Sequence, residues 1–143
     1  MTAVEEAALQ AGAHDVSVRV PANPDFLQVL RAVARGAAAR AGASIDDVAD
    51  IRLAVNEAAA MLLSDCPEAS TIWMQIVGLE GSDQNSIEIL VGVEIDRVLD
   101  WPAPAFRTSL GWKVISALAD VTEPIARPSG PTIRLVRTLG RPT

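Results

Sequence analysis

One carboxylate lies in an otherwise almost apolar stretch of the sequence, RLAVNEAAAMLL at residues 52–63, and this carboxylate is Glu57. At ~100° per residue, a helix over this stretch collects one core-facing stripe of apolar residues: Ile51, Val55, Ala58 and Leu62. Glu57 lies roughly 150° from the direction of Leu62 on the same helix. The helix therefore has a second, mostly apolar face with one carboxylate, and Met61 follows Glu57 one turn later.

Two interpretations of Glu57 are open at this point. The first is a partly exposed glutamate at the edge of a helix–helix contact, which is where glutamates in such patterns are commonly found. The second is a carboxylate in the wall of a cleft, placed to accept a proton during catalysis. The periodicity of the helix does not decide between them.

The composition limits the classes of function that the chain can have. With 143 residues, half of them hydrophobic and 21% charged, the chain is expected to form one globular domain with a substantial core. The net charge of −6 argues against a nucleic-acid surface, and three Trp, two Phe and no Tyr are too few for a base-stacking platform. Cys66 is the single cysteine, so the chain has no internal disulfide and no cysteine zinc cluster.

Nothing in the sequence predicts a membrane or export segment. The first ten residues, MTAVEEAALQ, are acidic and lack the apolar core of a signal peptide. The apolar runs elsewhere are too short and too interrupted to span a bilayer. We therefore expect a cytoplasmic protein with no membrane association.

The hydrophobic patterns predict the order β-α-α-β-β-linker-α-(β)-β, in which the parentheses mark a penultimate strand that the pattern leaves undecided. Residues 1–14 are predicted to be a flexible N-terminal tail and residues 15–140 a single domain. The predicted elements are a strand at 15–20, a helix within 21–42, a helix at about 45–64, strands at 70–79 and 86–95, a linker at 96–107, a helix at 108–121, a broken segment at 123–130 and a strand at 131–139.

Capping residues support the three helices. Asn23 is a good cap before Pro24 at the start of the first helix, whose predicted apolar stripe is Phe26, Val29, Leu30 and Val33. Gly42 stands where that helix should end, and the Ser-x-x-Asp pattern at 44–47 opens the second. Thr108 or Ser109 is expected to cap the third. Short turns between the strands predict an α+β fold, a mixed and mostly antiparallel sheet with about three helices on one face.

Three stretches of the chain together resemble a known family: residues 18–63, 108–121 and 130–139. They are similar to the histidine-kinase-like (GHKL) ATPase domain, in particular to anti-sigma factor serine kinases of the general-stress and sporulation type. The likeness runs in order from about residue 16 to 139 and is greatest to the divergent anti-sigma factors of high-GC bacteria. It implies the two-layer α/β sandwich of the Bergerat type, in agreement with the order of elements.

The resemblance assigns roles to particular residues of the predicted second helix and linker. Glu57 matches the family's catalytic glutamate, and Met61 occupies the position of the asparagine that helps to hold Mg²⁺. A thioether is a soft and poor ligand for this hard cation, and Asn56 points to another face of the helix. Asp96 stands near the position of the adenine-reading aspartate, but the glycines that follow it in the family are absent here.

The phosphate end of the family's site is only partly retained. Ser109-Leu110-Gly111 corresponds to a Gly-x-Gly turn and keeps one of its two glycines. Thr132 matches the polar residue that the family directs towards the phosphates. With three features damaged, we expect binding of the cofactor ATP to be weak or lost, Mg²⁺ binding to be doubtful, and no other metal site. Trp101 and Phe106, in the linker that replaces the ATP lid, are expected to fill the vacated nucleotide pocket.

Three functions follow as hypotheses. The first is an anti-sigma factor that sequesters an RNA polymerase sigma factor in a stress response and is released by a STAS-type anti-anti-sigma antagonist (partner switching). Its docking surface then includes Arg31 and Arg35, which otherwise belong to a solvated helix face. The alternative is an active ATP-dependent serine/threonine protein kinase that phosphorylates this antagonist. The third is a GHKL-like regulator of another target. The family likeness also implies a homodimer.

Overall fold

The computed structural model describes residues 15–97 and 99–140, so the predicted tail at 1–14 lies outside the described residues. The elements, in chain order, are β1 (Asp15–Pro21), α1 (Leu27–Arg40), α2 (Ile45–Asp65), β2 (Thr71–Leu79), β3 (Ser86–Glu94), α3 (Leu110–Leu118), β4 (Val121–Arg127) and β5 (Gly130–Thr138). Short 3₁₀ helices at Pro24–Phe26 and Phe106–Thr108 precede α1 and α3.

The five strands form one sheet in the order β1-β2-β3-β5-β4. Every neighbouring pair is antiparallel. The predicted sheet was mixed and mostly antiparallel, so the antiparallel part of that prediction is confirmed and the mixed part is not. Alternate residues of the central strands pack with the helices in one core, whose largest fully buried side chains include Leu30, Ile51, Leu62, Ile72, Met74, Ile76, Ile87, Ile89, Ile115, Ile133 and Leu135. Burying one face of an antiparallel sheet in this way gives the α+β two-layer architecture.

The predicted caps of α2 and α3 are confirmed. The Asp47 N–H donates to the Ser44 Oγ at 3.1 Å, and the Ser44 N–H donates to the Asp47 Oδ2 at 3.2 Å. This is a complete capping box in which aspartate takes the place of the usual glutamate. Ser109, and not Thr108, caps α3. At the end of α1, Gly42 has a φ of +89°, a conformation that favours glycine.

Three expectations about the elements were wrong. The segment at 123–130 was expected to be broken, but most of it lies in β4, where Pro124 is tolerated because β4 is an edge strand. The third helix is shorter than the predicted 108–121, because it begins after the cap Ser109 and ends at Leu118, before β4 starts at Val121. The buried stripe of α1 is Leu30, Ala34 and Ala38, whereas Phe26 and Val29 are each 36% exposed.

A buried ion pair joins the start of α2 to the end of β5. Asp47, only 1% exposed, accepts hydrogen bonds from Arg137 Nη2 at 3.0 Å and from the Gly140 N–H at 2.9 Å. Arg137 also donates to the Leu118 carbonyl at 2.7 Å and pairs with Asp50 at 2.9 Å. Burial raises the pKa of Asp47, but the hydrogen bonds outweigh it and leave that pKa below its ordinary value. The network therefore ties the ends of three elements together.

Within residues 15–97 and 99–140, no helix combines the length and the apolar character that crossing a membrane requires.

Candidate functional site

A cleft of about 470 Å³ lies between α2 and the segment that leads into α3. Its α2 wall comes from one stripe of the helix, because residues three and four apart share a face. Its opposite wall includes Phe106 and the start of α3. The lining residues are Glu57, Ala60, Met61, Ser64, Asp65, Ala103, Ala105, Phe106, Ser109 and Gly111.

The cleft brings together four of the residues that the sequence analysis selected. Glu57, Met61, Ser109 and Gly111 all line it, although they come from two segments about 50 residues apart in the sequence. Glu57 is half-buried, which is the cleft-wall position and not a fully solvated one. Its place in the cleft wall agrees with the second interpretation of this carboxylate and its partial exposure with the first, so the proton-accepting role stays a prediction.

Met61 fills the space in front of the retained glycine. A β-carbon placed on Gly111 would stand 2.8 Å from the Met61 Sδ and 3.0 Å from its Cγ, closer than van der Waals contact allows. The thioether thus occupies the approach to the first turn of α3. Asn56 does not take over the missing ligand position, because its Oδ1 accepts a hydrogen bond from Arg31 Nη1 at 2.5 Å on the α1 side of the helix.

Two selected residues lie outside the cleft. Asp96 is exposed in the turn after β3. Thr132 is fully buried on β5 opposite Gly92, and its hydroxyl donates to the Gly130 carbonyl at 3.4 Å. Because Thr132 alternates with the core residue Ile133, it faces away from the helices. This placement gives no support to an adenine-reading role for Asp96 or a phosphate-binding role for Thr132.

Phe106, which lines the cleft, is packed between two further aromatic side chains. Trp101 and Phe106 meet edge to face with ring centroids 4.9 Å apart, and Phe106 lies 5.0 Å from Trp112. All three are buried, with 6–7% of their surface exposed. The Trp101 Nε1–H donates to the Asp65 Oδ2 at 3.0 Å, which fixes the linker to the last turn of α2.

Trp101 and Phe106 were expected to fill the nucleotide pocket. Both are buried, but a cleft of about 470 Å³ remains, and of the two only Phe106 lines it. Trp112 and Asp65 were not anticipated. Trp112 follows the capping Ser109 by three residues, and its N–H donates to the Ser109 Oγ at 3.2 Å. The same oxygen donates its proton to the Phe106 carbonyl at 2.7 Å. The signal that could have identified Trp112 was its position three residues after the capping serine, on the first turn of α3. Nothing local marks Asp65 as the partner of Trp101, because the two residues are far apart in the sequence.

The lining does not fit Mg-ATP. Two carboxylates, Glu57 and Asp65, line the cleft, and none of the described residues in its wall is basic. A triphosphate brought into such a cleft would meet like charges without the cations that phosphoryl-transfer sites supply. No group of three or more His, Cys, Asp or Glu residues that could hold a metal ion occurs in the described part of the chain.

The remaining candidates have separate environments. Arg31 is half-buried and bound to Asn56, whereas Arg35 is exposed. Cys66 is buried just after α2, and burial, with a smaller contribution from nearby carboxylates, raises the pKa of its thiol to about 11. The thiol is therefore protonated at neutral pH, as expected of a structural cysteine.

Comparison with known proteins identifies the fold. No protein-family model matches the sequence, and no curated protein matches it significantly. The structure is similar to that of the RsbU and RsbW domains of Rv1364c from Mycobacterium tuberculosis, with a TM-score of 0.60 and 18% identity over 90% of this chain. The match spans 33% of the mycobacterial chain.

A second similar structure is the SiaB–SiaC complex from Pseudomonas aeruginosa, with a TM-score of 0.59 and 9% identity. That match covers 97% of this chain and 99% of the other. At such identities the likeness concerns the fold, and the expected fold class is confirmed. In the described residues it is an α+β fold of a five-stranded antiparallel sheet and three α-helices.

Proposed function

We propose that this chain is an anti-sigma factor that sequesters a sigma factor and is released by an anti-anti-sigma antagonist, with weak or lost ATP binding. The observation that carries the proposal is the position of Met61 against Gly111 in a cleft whose described lining has two carboxylates and no base. A fold that keeps its shape while the metal and phosphate contacts are replaced is expected where only protein docking is still needed. The structural likeness to an RsbW domain supports the same direction.

The alternative is a serine/threonine protein kinase acting on the antagonist. It is favoured by one observation, the convergence of Glu57, Ser109 and Gly111 on the cleft. Phosphoryl transfer, however, depends on a positioned metal and on cations around the phosphates. The soft thioether of Met61 supplies neither, so we rank the kinase second.

The first experiment is a pull-down of the tagged chain from cells of its source. The proposal expects enrichment of one sigma factor over a tag-only control, and reconstitution of a stable complex from the two purified proteins. An Arg35→Glu variant tests the exposed face of α1, with Arg40→Glu as a matched charge change at the end of the same helix. If no sigma factor is enriched, the proposal fails.

The second experiment separates the two functions. Titration calorimetry with Mg-ATP at millimolar concentration should give no heat and no thermal shift if the anti-sigma proposal holds. Saturable binding, followed by transfer of phosphate to a STAS-type protein, would support the kinase and replace our first choice.

A further inference from the structure

We propose that the cleft is a docking groove for an amphipathic helix that carries basic residues, supplied by a protein partner. The proposal rests on the proposed function in one respect, since it takes protein docking to be the activity of the chain. It goes further by naming the surface and the chemistry of its occupant, which the fold likeness does not supply.

The charge of the groove selects a cationic occupant. Glu57 and Asp65 both line it, without a basic neighbour among the described lining residues. They stand eight residues apart on α2, and therefore roughly 12 Å apart along the helix axis. Two basic residues separated by two turns of a partner helix would span the same distance. Such pairing of opposite charges gives orientation and specificity to an interface.

The apolar surface of the groove fits the other face of such a helix. Ala60, Met61 and Phe106 lie between the two carboxylates and across from them. Two exposed apolar side chains neighbour the lining residues: Leu53, one turn before Glu57, is 45% exposed, and Leu110, directly before Gly111, is 77% exposed. Methionine adapts to varied apolar partners, and grooves with apolar anchors at helical spacing are a recurring way of binding helices.

The aromatic cluster holds the linker wall of the groove in place. Trp101, Phe106 and Trp112 are packed on one another, and the Trp101–Asp65 hydrogen bond holds the linker against α2. The linker wall of the cleft, which includes Phe106, is thus held by side chains of the chain itself. Docking into the groove therefore needs no nucleotide.

The test uses two synthetic helical peptides, one built of two LKKLLKL repeats and its counterpart with glutamate in place of each lysine. Calorimetry and amide chemical shifts of the intact chain are recorded at physiological salt. We expect the basic peptide to bind and to shift the amides of Glu57, Ser64 and Gly111, while the acidic peptide does not bind. Mg-ATP at millimolar concentration should leave those amides in place.

A pair of variants separates the groove from the general negative charge of the chain. Glu57→Lys should weaken binding of the basic peptide by about tenfold or more, because a like charge then faces the ligand. Asp83→Lys makes the same change of net charge in the exposed β2–β3 loop and should alter the affinity by less than about twofold. Lysine is a good helix former, so the Glu57→Lys variant is expected to fold. Leu110→Ser removes an apolar side chain without a change of charge and should also weaken binding of the basic peptide.

The groove proposal would be overturned if Glu57→Lys and Asp83→Lys weakened binding of the basic peptide equally. It would also be overturned if the peptide shifted only amides of the sheet. Displacement of the peptide by Mg-ATP would overturn it as well. These outcomes are distinct from a failure of the proposed function. If the groove does not bind the basic peptide but the chain still captures a sigma factor, the groove proposal fails and the anti-sigma proposal stands.

Discussion

The side chain of Met61 and the α-carbon of Gly111 are packed so closely that a β-carbon on the glycine would displace the methionine side chain. The atom would lie 2.8 Å from the Met61 Sδ. The two residues belong to α2 and to the first turn of α3, so their contact fixes the distance between these helices at the cleft. The glycine that a phosphate-binding turn would need for approach to a ligand here accommodates a thioether instead.

Gly111→Ala should therefore destabilise the chain through Met61. We expect a loss of about 1 kcal/mol in the free energy of unfolding, in the range typical of overpacking. In a Met61→Ala background the same change should be neutral or slightly stabilising, because the clash is gone and alanine favours the helix. Urea denaturation of the four proteins gives the coupling energy. A Gly111→Ala effect that is the same in both backgrounds would contradict the contact.

The buried ion pair should dominate the stability of the helix–sheet junction. Asp47→Ala leaves the guanidinium of Arg137 buried with only Asp50 and the Leu118 carbonyl as partners. Removal of one member of a buried pair typically costs about 3–5 kcal/mol, and we expect the lower end here because Asp50 remains. Asp46→Ala, in the same turn but exposed, is the control and should cost less than about 1 kcal/mol.

The lowered pKa of Asp47 also predicts how stability depends on acid. A carboxylate whose pKa is lower in the folded chain stabilises it above the unfolded value near 3.8, and this contribution is lost as the pH falls through the folded value. Thermal unfolding followed from pH 7 to pH 2 should therefore show a steeper loss below about pH 4 in the parent than in Asp47→Asn. Parallel curves for the two proteins would exclude the assignment.

Cys66 provides a test at the other end of the pH range. Since burial raises the pKa of its thiol to about 11, the folded chain should react with a thiol reagent at pH 8 far more slowly than the unfolded chain. The raised pKa stabilises the fold below the ordinary value near 9 and loses this effect as the pH rises towards 11. Cys66→Ser, measured at pH 7 and pH 10, should show a smaller alkaline loss than the parent.

The parts of the fold that local chemistry determines were predictable from the sequence. The capping box at Ser44 and Asp47, the core stripe of α2 and the glycine after α1 all act over a few residues, so spacing alone reveals them. The strand containing Pro124 was left undecided, because a proline excludes a central strand but not an edge strand, and the position of a strand in the sheet is a tertiary property.

The residues of the candidate site also divide into those that local patterns predict and those that depend on tertiary structure. Glu57 and Met61 share a helix face and were placed together by periodicity, whereas Thr132 was assigned by resemblance and lies on the opposite side of the sheet. The Asp47–Arg137 bond joins residues 90 positions apart. No local pattern reports such a pairing, because it depends on how β5 is placed beside the start of α2.

The hydrogen bond from Trp101 to Asp65 is the contact through which the linker is held to the last turn of α2. Trp101→Phe keeps an aromatic ring in the cluster but removes the Nε1 donor, so the exposed carboxylate of Asp65 loses this bond to the linker. We expect a loss of about 1–2 kcal/mol in the free energy of unfolding. Trp73→Phe is the matched control, because it makes the same change of ring on the other face of the sheet, where Trp73 is half-buried against Gly92 and Arg127.

Asp65→Ala completes a double-mutant cycle with Trp101→Phe. If the hydrogen bond holds the linker, Trp101→Phe in the Asp65→Ala background should cost no more than the change of ring costs in Trp73→Phe. Hydrogen exchange at the amides of Ala103 and of 105–109 should accelerate in both single variants. Additive losses in the cycle, or a Trp101→Phe effect no larger than that of Trp73→Phe, would mean that ring packing alone holds the linker. The cleft wall would then depend on the contact of Phe106 with Trp112, and Phe106→Leu would be the variant that opens it.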